Sequence, residues 1–115
     1  MKRIAFLFLV LAFSFILNAA DITGTWTIAV MLDAGTGTAT FKFQQSGEAL
    51  TGSYSGVLGE AAVTGTVKGD QVEWSFDSGQ AGKITYKGTL DGASKIKGTT
   101  EYGALGKGTF TGEKK

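Results

Sequence analysis

A five-residue pattern recurs along this chain: an apolar residue, Thr or Lys, Gly, Thr or Ser, then a residue that is usually apolar. It reads Ile22-Thr23-Gly24-Thr25-Trp26, Leu50-Thr51-Gly52-Ser53-Tyr54, Val63-Thr64-Gly65-Thr66-Val67 and Tyr86-Lys87-Gly88-Thr89-Leu90. Looser copies are Ile96-Lys97-Gly98-Thr99-Thr100 and Gly106-Lys107-Gly108-Thr109-Phe110. In an extended strand successive side chains point to opposite faces, so each of these glycines shares a face with its apolar neighbours. An inward glycine lets a sheet coil sharply and lets another backbone come close. The copies are irregularly spaced, which argues against a solenoid. Six coiling strands predict a small closed β-barrel.

The rest of the chain agrees. There is no Pro, there are 18 Gly, and period-two alternation dominates over any helical period. Strands are expected at 22–32, 36–45, 49–56, 61–68, 71–77, 82–90, 94–102 and 106–113. The breaks carry turn residues such as Asp33-Ala34-Gly35, Ser46-Gly47, Gly69-Asp70 and Asp91-Gly92. Short connections pair neighbouring strands as antiparallel hairpins. The expected fold is therefore all-β, an eight-stranded antiparallel up-and-down β-barrel. Face assignment supports it. Trp26, Phe41, Phe43, Tyr54, Trp74, Phe76, Tyr86, Tyr102 and Phe110 fall on one face with the aliphatic residues, while Thr, Lys and Glu take the other. An open two-sheet sandwich would alternate in the same way; the recurrent inward glycine favours closure.

The first twenty residues read as a separate object. Lys2 and Arg3 precede an apolar run from Ile4 to Leu17, followed by Ala19 and Ala20, the form of a secretory signal peptide. The run is short for a membrane anchor, which takes roughly 20 residues. Cleavage after Ala19 or after Ala20 would leave one domain, 21–115, secreted or periplasmic, with no membrane association. Removing Lys2 and Arg3 from the eleven basic residues leaves nine lysines against ten acids, a net charge of −1. With no basic stripe and no Arg in that domain, nucleic-acid binding is not expected. The absence of Cys excludes disulfides and a lipid-modified cysteine, so a packed core or oligomerisation must stabilise the fold. The absence of His excludes Ser-His and Cys-His nucleophiles. Asp70, Asp77 and Asp91 lie at turns, while Glu73 and Glu101 point outward, with no desolvating pocket to raise a pKa. No catalytic residue, metal site or cofactor is expected.

At this point the sequence resembles the avidin and streptavidin family across the whole of 21–115. Ile22-Thr23-Gly24-Thr25-Trp26 looks like that family's opening T-G-T-W strand and Leu50-Thr51-Gly52-Ser53-Tyr54 like its L-T-G-T-Y strand. Gly106-Lys107-Gly108-Thr109-Phe110-Thr111 is similar to the avidin ending, and Val72-Glu73-Trp74 and Thr85-Tyr86-Lys87-Gly88 fall where the family places strands bearing tryptophans. The resemblance implies the same barrel but not the same ligand. Of the residues that hold biotin's ureido group, Tyr54 remains, whereas Ile28, Gly56 and Gly108 stand where the family has Asn, Ser and Asp. Leaving a buried urea without partners costs roughly 1–3 kcal/mol per group, so biotin is not the expected ligand.

The inward aromatics Trp26, Tyr54, Trp74, Tyr86 and Tyr102 are the candidate lining of a ligand cavity. Eight strands enclose a space that side chains just fill, or that holds one small ligand, so a packed core and a small-ligand site both stay open. Trp26 has a structural reading as well, as a plug of the barrel end beneath Lys114 or Lys115. The outward T-x-T pairs suit a solvated face. Two functional expectations follow: a secreted, non-enzymatic module for a small apolar or aromatic ligand at the barrel mouth, or a barrel with a packed core that binds a protein partner or acts as an inhibitor.

Overall fold

The computed structural model describes residues 21–79 and 81–115; the expected signal segment lies outside the described residues. Eight strands follow one another: β1 (Gly24–Leu32), β2 (Gly35–Ser46), β3 (Ala49–Gly56), β4 (Gly59–Lys68), β5 (Gln71–Asp77), β6 (Lys83–Asp91), β7 (Lys95–Tyr102) and β8 (Lys107–Lys114). Each pairs antiparallel with the next, and β1 pairs with β8 from Trp26↔Lys114 to Leu32↔Gly108, which closes the barrel. The sandwich alternative is thereby set aside. Closure leaves no unpaired strand edge.

Four of the recurrent glycines are sites of close backbone approach. A Cβ added at Gly52, Gly65, Gly98 or Gly108 would fall against the carbonyl oxygen of Lys42, Glu73, Lys87 or Met31 on the adjacent strand. Large residues sit beside the vacated positions: Gly52 is opposite Phe43, Gly65 opposite Trp74, and Gly98 opposite Phe110. The motif thus does two things at once. It lets neighbouring backbones approach, and it makes room for a ring on the next strand.

Every aromatic residue of 21–115 is buried, and the interior is continuous from Ile22 to Tyr102. Phe41 stands at its centre, meeting Phe43, Tyr54, Trp74, Phe76 and Tyr86 at ring-centroid separations of 5.2–5.9 Å. Such offset and edge-to-face pairs add to the burial of apolar area. One end of the barrel is plugged. Ile22 folds over it, its N–H bonded to Gln45 Oε1 at 2.9 Å, and Trp26 Nε1–H donates to the Ile22 carbonyl at 2.9 Å. Lys114 lies opposite Trp26 on the inward row of β8, half-buried, with its Cε 2.8 Å from where a Gly24 Cβ would be. The plug at this end is consistent with the structural reading of Trp26, and Lys114 is its cross-strand neighbour.

Candidate functional site: the open mouth of the barrel

The other end is ringed by the four connections that follow Leu32, Gly56, Asp77 and Tyr102. Here the inward row of β2 supplies almost no side chain. Gly35, Gly37 and Ala39 stand opposite Leu32, Val30 and Ile28 of β1, and residues directly opposite on a sheet share a face. Three successive inward positions therefore carry nothing larger than a methyl group. The result is a cleft of about 220 Å³ bordered by Val30, Leu32, Ala39, Tyr54, Tyr102 and the turn residues Val57 and Leu105. It exceeds an apolar cavity of ~150 Å³ that holds one benzene ring and falls below the ~300–1,000 Å³ of drug-sized sites.

Gly37 differs in kind from the coiling glycines. A Cβ built on it meets nothing within 4 Å, and its φ is an ordinary one for any residue. Gly35 also faces open space, but its φ of +144° is one that side chains rarely adopt. Backbone geometry accounts for Gly52, Gly65 and Gly98, and in part for Gly35. It does not account for Gly37.

Two turns lean over the cleft. The β3–β4 turn carries Val57, 84% exposed, followed by the half-buried Leu58, whose N–H donates to the Tyr54 hydroxyl at 3.3 Å. The β7–β8 connection is a 3₁₀ turn, Gly103–Leu105, that presents Leu105. Gly103 takes a φ of +52° and passes so near the Ala81 carbonyl that a Cβ would collide with it, and the Ala104 N–H donates to that carbonyl at 3.0 Å. The position is thus restricted to glycine.

The five expected lining residues part company here. Tyr54 and Tyr102 border the cleft and are 2% and 5% exposed. Trp74 and Tyr86 lie deeper, stacked at 4.9 Å with an 8° interplanar angle, as cross-strand neighbours of β5 and β6. They are core. Trp26 is at the opposite end, in the plug. A packed core and a small cavity therefore coexist in the same barrel, at different depths.

Polar groups are few. The Tyr86 and Tyr102 hydroxyls bond to each other. Thr100 is buried directly opposite Tyr86 and donates its Oγ1–H to the Thr85 carbonyl at 2.9 Å. Burial, reinforced by the neighbouring Tyr102, pushes the Tyr86 phenol far above its usual value, and burial also raises Tyr102. Both phenols are thus neutral at any ordinary pH. Among the described residues, no charged side chain borders the cleft. Trp74 Nε1–H has no oxygen or nitrogen acceptor among the described residues; its ring meets Phe43, Phe41 and Phe110 edge-to-face at 5.0, 5.4 and 5.6 Å, which leaves π faces as its electron-rich neighbours. Among the described residues, no group of three His, Cys, Asp or Glu is placed to hold a metal ion.

Sequence reasoning missed the small row Gly35-x-Gly37-x-Ala39, the buried Thr100 and the rim residues Val57 and Leu105. Signals for them existed. The alternation of small residues is on the strand's inward parity, and apolar residues inside hairpin turns break the usual polarity of turns. The biotin positions are plain in three dimensions. Ile28 is fully buried, a Cβ on Gly56 would fall on the Tyr54 hydroxyl, and one on Gly108 would strike the β1 backbone. A larger hollow of about 420 Å³ lies on the outer wall between β1, β7 and β8, bordered by Lys95, Lys97 and Glu113. Charged, solvated side chains around it make the apolar mouth the better candidate.

No protein-family model and no curated protein sequence matches this chain. Among solved structures it is similar to a redesigned β-barrel, mFAP0, bound to DFHBI, with a TM-score of 0.59, 22% identity, and 82% of this chain and 98% of that one covered. A second redesigned barrel, mFAP1, bound to DFHBI, gives 0.56, 20%, 82% and 94%, and EF1p2_mFAP2b bound to DFHBI gives 0.57, 19%, 82% and 93%. At such identities the likeness is one of fold, and the fold it establishes is the closed eight-stranded antiparallel barrel.

Proposed function

We propose that the protein is a non-enzymatic binding module that takes a small, neutral, apolar or aromatic ligand, other than biotin, in the open mouth of the barrel. The observation that carries this reading is Gly37. The backbone does not require a glycine there, a strand disfavours one, and a side chain would occupy the cleft. A position left empty at a cost in stability is a sign of function. Burial of apolar ligand surface against Val30, Leu32 and Ala39 would drive binding. The lack of charge around the cleft disfavours ionised ligands, whose desolvation nothing would offset. Three similar barrels were solved with DFHBI bound, which lends support to a ligand in such a fold. We read residues 1–20 as a signal for export, which places this activity outside the cell or in the periplasm.

The test is calorimetric titration of the purified protein with DFHBI and a panel of one- and two-ring neutral compounds. Saturable binding at one site, lost in Gly37→Val, supports the proposal. Absence of binding across the panel overturns it.

A second reading rests on the rim. Met31, Val57 and Leu105, the exposed large apolar residues among those described, all lie at the open end. A protein partner docked there would cover them. Val57→Asp would then abolish complex formation with that partner.

A further inference from the structure

The hydroxyl groups at the floor of the cleft define what the ligand's polar atom must be, an inference that rests on the ligand-binding reading above. Three phenols stand at or behind the cleft: Tyr54 and Tyr102 border it, and Tyr86 lies behind Tyr102. Three phenolic protons need acceptors. The Tyr86–Tyr102 bond uses one. Thr100, opposite Tyr86, gives its own proton to the Thr85 carbonyl and so meets Tyr86 only with a lone pair. Tyr54 receives the Leu58 N–H on its oxygen, and its proton has no acceptor among the described residues.

The pair of buried tyrosines can be polarised in two directions. With Tyr86 donating to Tyr102, the Tyr102 proton faces the cleft. In the reverse sense Tyr86 turns its proton to Thr100, and Tyr102 offers a lone pair. The reverse sense leaves Tyr54 as the donor to an incoming oxygen, whereas the first sense presents two donors, which an oxygen with two lone pairs can meet: Tyr86 donates to Tyr102, and Tyr102 and Tyr54 both donate to the incoming atom. The low-polarity surroundings strengthen these bonds and penalise an unmet donor. An anionic oxygen would also accept both protons, but no cation borders the cleft to compensate its charge.

We propose that the mouth selects neutral ring compounds bearing a carbonyl-type oxygen, with Tyr102, polarised by Tyr86, as the group that distinguishes them. Tyr86, Thr100 and Tyr102 form a buried polar column in an otherwise apolar barrel, as a hydrogen-bonding subsite would require.

A matched pair of probes tests this. Acetophenone and α-methylstyrene share one shape and differ by an oxygen in place of a CH₂ group. Their dissociation constants are measured by ¹H–¹⁵N shift titration on the wild type and on Tyr102→Phe, each checked for folding by thermal melting. The expected result is that both probes bind the wild type, and that the preference for acetophenone over α-methylstyrene falls about ten-fold in Tyr102→Phe, the scale of one buried hydrogen bond. The ratio cancels the different hydration of the two probes. An unchanged ratio with both probes still binding overturns the carbonyl inference and leaves the ligand-binding reading standing. Failure of both probes to bind the wild type overturns that reading and the inference with it. Should Tyr102→Phe not fold, the infrared C=O stretch of acetophenone bound to the wild type decides: a downshift from its position in hexane supports the hydrogen bonds, and an unshifted band refutes them.

Discussion

Replacing Gly37 with valine separates the two kinds of glycine in this barrel. Glycine inside a strand is less stable than alanine by about 0.5–1 kcal/mol, because it loses more chain entropy on folding. The isopropyl group adds three carbons, worth ~0.8 kcal/mol each when fully buried. At a mouth open to solvent roughly half of that, about 1.2 kcal/mol, is realised, and ordering the side chain costs roughly 0.5 kcal/mol. Nothing within 4 Å obstructs the new Cβ. Gly37→Val should therefore stabilise the protein by about 1.5 kcal/mol, a rise in Tm of roughly 6–12 °C for a domain of this size. The control is Gly98→Ala, whose Cβ would strike the Lys87 carbonyl and come within 2.6 Å of Gly88 Cα. That substitution should destabilise by about 1–3 kcal/mol. Calorimetric melting of both variants, with urea titration to fix ΔG, gives the comparison. A lower Tm for Gly37→Val would refute the reasoning, since it would make Gly37 structural and leave the cleft an accident of packing.

Other consequences are equally direct. Trp26→Phe removes the bond to the Ile22 carbonyl and should cost about 1–3 kcal/mol, seen in urea denaturation, with ligand affinity unchanged because Trp26 is at the plugged end. Tyr86 and Tyr102 hold their protons more tightly folded than unfolded. Their stabilising effect is complete below pH ~10 and lost as pH rises above it, for Tyr86 by up to about 1.4 kcal/mol per pH unit. Tyr86→Phe should flatten this alkaline unfolding, monitored by circular dichroism, while lowering stability at neutral pH by about 1–3 kcal/mol through loss of the bond to Tyr102. The exposed Lys95–Glu113 pair, at 3.9 Å, should contribute less than about 0.5 kcal/mol, so Glu113→Gln should barely move the melting curve.

The architecture was legible because its determinants are local. Alternation along each strand assigned Trp26, Phe41, Trp74 and Phe110 inward, and the turn residues separated strands whose boundaries differ from expectation by no more than two residues. Gly52, Gly65 and Gly98 act as the motif suggested, through close backbone approach. What alternation could not give is depth along the barrel axis. Trp26 and Tyr102 are both inward, yet one plugs an end and the other borders the opposite mouth; only the register and the closing β1–β8 pair distinguish them. The small row that contains Gly37 is visible in sequence, but its difference from a coiling glycine is not, because that lies in whether a neighbouring carbonyl stands in the way. Thr100 escaped notice for a related reason: a buried threonine is recognised by its acceptor, the Thr85 carbonyl, fifteen residues away.

The most direct test of the ligand-binding mouth is a map of amide shifts as acetophenone is titrated into ¹⁵N-labelled protein. Saturable shifts concentrated at Gly35–Ala39, Tyr54–Leu58 and Tyr102–Leu105, and absent around Trp26 and Lys114, are the predicted result. A contradiction would be a titration that never saturates, or one whose largest shifts fall at the plugged end.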